Sequence, residues 1–396
     1  MHPVRTITLG LAEPHPIATS AIRRAAAFLR QTRTRFTEAG HEVQTVRLST
    51  RPLFDDMADQ SNTTIARYVS ELQRALNDLG LEYCSIGPAP AARVHFPLDR
   101  LDLVADLLIA NPAINATVQL AESINTQPAW RPEAAVPTAR IIKRLAAETA
   151  EGFGNFRFAA LACMPPGTPF FPAAYHDPAT FTGFSLGLQG ASIIAEAIST
   201  LRKETPLPLP LERITEHVGQ ALISQQWTYR KLTYPIEQEY NIRYAGIDHS
   251  PAPLADDSIA AAIELCGYGP FGSPGTLSVV AALTKAIKGV SSPFSVGYNG
   301  LMLPVLEDAL LGQRWAERLV NLQQLLLYSS VCGTGLDTIP LPGDIAEEEL
   351  ARILLDVATL AMRAGKPLSA RLFPVPGKRA GERTAFSSPY LVNTLI

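Results

Sequence analysis

Apolar and polar positions along this chain switch repeatedly between a period of two and a period near 3.6. Arg5–Leu11 alternates and is rich in β-formers, which predicts a first strand. Ile17–Ala39 places Ile22, Ala25, Ala26, Leu29 and Phe36 on one helical face, and Gly40 supplies the C-terminal stop. Glu42–Leu48 predicts a second strand, Asn62–Leu79 a helix ending at Gly80, and Glu82–Ile86 a third strand. Leu98–Asp102 reads as helical and the apolar run Ala105–Ala110 as extended. Helix and strand in turn imply βα units and a mainly parallel sheet.

The rhythm continues beyond Pro128–Pro137, which reads as a turn-rich connection before the helix Val136–Ala150. Asn155–Met164 has the apolar content of a buried strand and runs into the stiff turn Pro165–Pro172, then Tyr175-His176. Phe181–Leu188 predicts another strand, followed by a helix to Lys203, a spacer containing Pro206, Pro208 and Pro210, and a helix over Leu211–Gln226. Ile242–Ile247 is a strand ending in Asp248-His249, and Ser258–Leu265 is a short helix. A glycine loop, Gly267–Gly275, precedes a helix over Leu277–Lys288 that Thr276 is placed to cap. Two helices are expected at Leu301–Leu311 and Trp315–Tyr328, then an irregular segment, Ser329–Asp344. Asp344 and Glu347 fit a capping box opening a helix over Ile345–Arg363, and Ser369–Phe373 is the last strand.

Composition narrows the class. The chain has 396 residues, 47% of them hydrophobic, ample for a large core. Its 34 basic and 37 acidic residues leave a net charge of −3, so nothing attracts nucleic acid or an anionic membrane in general. No apolar run reaches the roughly 20 residues of a bilayer span, and the first residues enter a strand without a signal-peptide core. Four cysteines lie far apart without C-x-x-C pairs. Length allows two or three domains or one large α/β barrel over residues 1–396, and the cysteine usage reads as a reducing, cytoplasmic compartment.

Candidate chemistry concentrates in Ser329–Asp344. Cys332 stands among small residues, and Gly333 and Gly335 leave backbone amides free to face the thiol or a bound oxyanion. Asp337 follows on the same segment. Asp248 and His249 lie at a strand end, where parallel-sheet enzymes collect polar groups, and His176 follows the proline-rich turn. Arg371, Lys378 and Arg379 form a basic group suited to a carboxylate or phosphate. Glu307-Asp308 reads as a solvated face or a helix cap. Gly267–Gly275 lacks the Gly-Lys-Ser/Thr ending of a P-loop and reads as a turn, and no H-E-x-x-H or EF-hand spacing marks a metal.

Asn155–Ala160, the Pro165–Pro172 turn, Ser329–Asp344 and Arg371–Gly381 together resemble the conserved bacterial and archaeal domain-of-unknown-function family 711, in order and over nearly the whole chain. The resemblance implies a fold similar to the ten-stranded α/β barrel of pyruvate formate-lyase and the ribonucleotide reductase large chain. In that superfamily a finger loop carries the catalytic cysteine, and Cys332 is the residue to compare with it. The chain departs from glycyl-radical enzymes at Lys378-Arg379-Ala380-Gly381-Glu382, where Gly381 lacks the following aromatic, so a glycyl radical is not expected.

Three functions follow as expectations. In the first, an enzyme acts on a small anionic metabolite with Cys332 as nucleophile or redox thiol. Asp248, His249 and Asp337 supply acid–base groups, while His176, Gly333, Gly335, Arg371, Lys378 and Arg379 bind substrate. In the second, Asp248, His249, His176 and Asp337 surround a divalent metal for hydrolysis or isomerisation. In the third, the chain is a non-catalytic, regulatory metabolite-binding protein that uses the glycine loop Gly267–Gly275 and the basic C-terminal residues. A homodimer would suit any of them.

Overall fold

The structure, a computed structural model, describes residues 2–124, 127–290 and 293–396. Its strands are β1 (Val4–Gly10), β2 (Val43–Ser49), β3 (Cys84–Ala89), β4 (Ile114–Ile124), β5 (Gln127–Trp130), β6 (Phe158–Ala162), β7 (Gly183–Leu188), β8 (Arg243–Asp248), β9 (Gly335–Pro342) and β10 (Leu368–Val375). Among the described residues these form a ten-stranded sheet ordered β8-β7-β1-β2-β3-β4-β6-β10-β9, with β5 paired to β4. The expected mixed α/β fold with ten strands is present.

The sheet has two halves of opposite sense. β1, β2, β3, β4 and β6 run parallel to one another, whereas β7 and β10 pair antiparallel to β1 and β6. β8 and β9 then follow β7 and β10 in parallel. The outer strands are spanned by the stretch 294–308, which bridges β8 at Ile247–Ser295 and β9 at Pro304–Asp337, both in the parallel sense. The sheet therefore curls round an interior into which β1, β2, β9, β10 and this stretch all contribute side chains. Helices coat its outside. Thr19–Glu38 buries Ala21, Ile22, Ala25, Phe28, Leu29 and Phe36, the spacing of one helical face, and a core running from Val4 to Leu372 lies between helices and sheet.

Several expected elements change. Ala105–Ala110 belongs to a helix, Asp102–Ala110, because a short all-apolar run carries no period to separate helix from strand. The helix expected to stop at Gln226 continues over Leu211–Tyr240, burying Tyr229, Thr233 and Ile236 on the same face. Residues 301–308 are not helical; the helices are Ala309–Ala316 and Leu322–Tyr328, opened by Asp308 and by an Asn321–Gln324 capping box. Ser329–Asp344 contains strand β9, whose Pro340 and Pro342 are tolerated because it lies last in the strand order. Asp344 does not cap the next helix, which spans Glu347–Ala364 behind Ala346 and carries three glutamates in its first turn. Thr276 is the first residue of its helix, with Gly275 at the cap. Part of the Pro128–Pro137 connection is β5, and Asn155–Arg157 ends a 3-10 turn ahead of β6. No helix among the described residues is long and apolar enough to cross a membrane.

Candidate functional site

Two irregularities in the sheet create the site. In the β1–β7 pairing the register slips between Val4 and Thr6, so Arg5 is an extra residue on β1. In the β9–β10 pairing Ala370 faces Leu336 but Leu372 faces Ile339, so Asp337 and Thr338 together oppose Arg371. Thr338 takes a left-handed φ of 43° at this bulge. A bulge re-aims the side chains beside it, and here four charged groups are brought together. Glu307, from the spanning stretch, accepts from Arg5 at 2.7 Å and from Arg371, and Asp337 accepts from Arg371 Nε at 2.6 Å. Burial alone would pull the Arg371 guanidinium down, but Asp337 and Glu307 outweigh it and hold it above its ordinary value.

Around this cluster lies a cavity of about 570 Å³, within the size range of metabolite sites. Arg47, from β2, lines it and is 9% exposed. Its Nε donates to Thr45 Oγ1 at 2.9 Å, and its guanidinium carbon sits 5.5 Å from the Tyr83 ring centroid and 5.2 Å from that of Phe171. Among the described residues no carboxylate lies within ion-pairing distance of it, and its Nη groups have no protein acceptor. Burial, then the charges of Arg5 and Arg371, pull Arg47 down to about 9, so it is still a cation at neutral pH. Arg5 Nη1 is likewise buried without a hydrogen-bond partner. Arg157 also borders the cavity, but its Nη groups are taken by the carbonyls of Leu108, Asn111 and Ile114.

Of the residues singled out in the sequence, Asp337 and Arg371 meet here and line the cavity. Asp248 is fully buried, and burial raises its carboxyl above the usual range. It accepts from Ser250 N and Oγ, from Tyr298 N at 2.8 Å and from Asn299 N at 3.1 Å. It thereby holds the turn that presents Tyr298 to the cavity. His249 is buried beside Asn299, 3.2 Å from Oδ1, its Nε2 is without a partner, and burial pushes its imidazole down to about 4. His176 is buried against Gly10 and Thr180 and does not line the cavity. Lys378 and Arg379 follow β10 on a turn; Arg379 is exposed, donates its backbone N–H to Glu382, and neither residue borders the cavity. The second expected arrangement is not assembled: among the described residues no group of three or more His, Cys, Asp or Glu could hold a metal ion.

Cys332 is fully buried and does not border the cavity, although Thr334, two residues on, does. Burial raises its thiol, opposed by the Lys366 charge and by hydrogen bonds from Thr334, Ser329 and Gly335. Lys366 itself donates to the carbonyls of Ser330 and Cys332. Gly333 packs its Cα directly on Gly300, a backbone contact that leaves no room for a Cβ on either residue.

Arg5, Arg47 and Glu307 escape a reading of the sequence. Arginines in strands read as solvent-facing, and Glu307 reads as a solvated face or cap when it is 3% exposed. Their one signal is a charged residue within an otherwise apolar strand or beside a proline, as at Pro304–Glu307.

Fold and site thus define an α/β protein whose curled sheet encloses a cavity with an excess of arginine. The family model described as "Uncharacterised ACR (DUF711)" matches residues 2–387, and the chain belongs to that family. Among similar proteins, a UPF0210 protein of Pyrobaculum arsenaticum is 30% identical over 68% of this chain, which spans 60% of that relative's length. One from Pyrobaculum aerophilum is 30% identical over 87% of this chain and 76% of its own. One from Desulforudis audaxviator is 26% identical over 97% and 88%. Among solved structures, the anaerobic ribonucleotide reductase of Thermotoga maritima aligns over 93% of this chain and 80% of its own, at 9% identity and a TM-score of 0.31.

Proposed function

We propose that this chain takes a small anionic metabolite, a carboxylate or phosphate, into the cavity, with the Nη edge of Arg47 as its principal anchor. The observation that carries this is the unpaired, buried Arg47 charge beside the matched cluster of Arg5, Glu307, Arg371 and Asp337. An isolated buried cation is strongly disfavoured unless something pairs with it, and an anion in the cavity would do so. Two arginine Nη groups pointing the same way suit the fork geometry of a carboxylate or a phosphate. The test is calorimetric titration of the full chain with acetate, succinate and inorganic phosphate, repeated on Arg47→Met. Binding by the wild type and its loss in the variant are expected. Unchanged binding by Arg47→Met would remove the anchor from the proposal.

A second reading keeps thiol chemistry at Cys332. It is favoured by the amides of Thr334 and Gly335 and the Lys366 charge, all of which stabilise a thiolate, and by the position of Thr334 on the cavity wall. It requires Cys332→Ser to abolish turnover of a bound anion while leaving its affinity unchanged.

A further inference from the structure

The cavity has a charged pole, formed by the cluster and Arg47, and beside it an aromatic wall: Phe153, Phe156, Phe171, Tyr83 and Tyr390. The rings are ordered. Phe153 and Phe156 stack with centroids 5.0 Å apart at 20°, and Phe156 and Tyr390 lie 6.4 Å apart at 18°, so three rings are nearly coplanar in orientation. Tyr83, from the approach to β3, and Tyr390, from the C-terminal segment, complete this side.

Pole and wall touch. The Arg371 guanidinium lies 4.9 Å from the Phe156 centroid, and Arg47 lies over Phe171 and Tyr83. A ligand that satisfies both carries its anionic group within a few bonds of a flat apolar body. The charge of the pole sets its valence. Arg5, Arg47 and Arg371 against Glu307 and Asp337 leave three positive charges less two negative, one in excess. The two other charged groups on the wall, Arg157 and Glu82, are opposite in sign and leave this count at one. A dianion would bring one charge more than the pole can match, into a place where an unmatched charge is costly.

We infer that the ligand is an aromatic or conjugated monoanion, with its carboxylate on Arg47 and its ring extending the Phe153–Phe156–Tyr390 stack. This deepens the anion-binding reading and rests on it. Offset stacking rewards a flat π-system over a chain of the same area, and it places the ring where the existing quadrupoles already align.

The experiment is titration of the full chain with benzoate and 3-phenylpropionate, against butyrate, succinate and inorganic phosphate. At pH 8, where succinate and phosphate are both mainly dianions, the aromatic monocarboxylates should bind at least tenfold tighter than butyrate and than either of these. Phe156→Leu should bring the aromatic-to-aliphatic ratio to within threefold, a change of selectivity that a merely structural role for the ring would not produce. Succinate or phosphate binding as tightly as benzoate, or butyrate matching 3-phenylpropionate, overturns the aromatic monoanion and leaves the anion site standing. Failure of every anion to bind the wild type overturns the anion site, and this inference with it.

Discussion

Replacing Arg47 with methionine should make the protein more stable. The guanidinium falls far below its ordinary value, to about 9, chiefly because burial disfavours its charge. At about 1.4 kcal/mol for each tenfold change, the buried charge weakens the fold by about 5 kcal/mol at neutral pH. Arg47 gives back part of this through its bond to Thr45, worth about 1 kcal/mol. Its contacts with Tyr83 and Phe171 return about 2 kcal/mol more. Methionine keeps most of the volume and none of the charge, so a net gain of about 2 kcal/mol is expected. The sign has a pH signature. Above pH 9 the unfolded chain still holds a proton that the folded chain has released, so wild-type stability rises with pH there. The advantage of Arg47→Met should therefore shrink above pH 9. Urea midpoints at pH 7.5 and 9.5, with the slope checked for constancy, measure both. A variant less stable than wild type by 1 kcal/mol or more at pH 7.5 would mean that Arg47 is a structural group with a partner, and the argument for an anion on it would fall.

Further outcomes follow from the same geometry. Anion affinity should be flat from pH 6.5 to 8.5 and fall by about tenfold per unit above pH 9 as Arg47 loses its proton; a flat profile to pH 10.5 would detach binding from Arg47. Glu307→Gln strips the shared carboxylate from Arg5 and Arg371 and should lower stability by about 3 to 5 kcal/mol in chemical denaturation; a loss under 1 kcal/mol would show the pair to be solvated. Asp308→Ala removes the acceptor of Leu311 N, Ile259 N, Ala260 N and Ser258 Oγ, opening the start of two helices, and should cost about 3 kcal/mol by the same assay. Thiol titration of the native chain should modify Cys163, the half-buried cysteine, and leave Cys84, Cys266 and Cys332 untouched until urea is added. Rapid native labelling of Cys332, found by peptide mapping, would show that its turn opens.

The sequence by itself determined the repeating helix–strand order and most of the elements, because apolar periods of 2 and 3.6 are local properties. It also pointed to Asp337 and Arg371, which meet in the cavity. The capping reading of Asp308 holds for the same local reason, since a cap acts within a turn of its own residue. Only the tertiary structure decided the rest. Two register slips bring Arg5 from β1 and Arg371 from β10 onto Glu307 of the spanning stretch, at sequence separations of 302 and 64 residues. Pairing register between strands leaves no mark in the period of either one. The same holds for Arg47, an ordinary strand arginine until the curled sheet encloses it without a counter-charge, and for the rings of Phe153, Phe156 and Tyr390, which only folding stacks. Cys332 shows the converse: its glycine-flanked setting suggests access, and packing of Gly333 on Gly300 closes it.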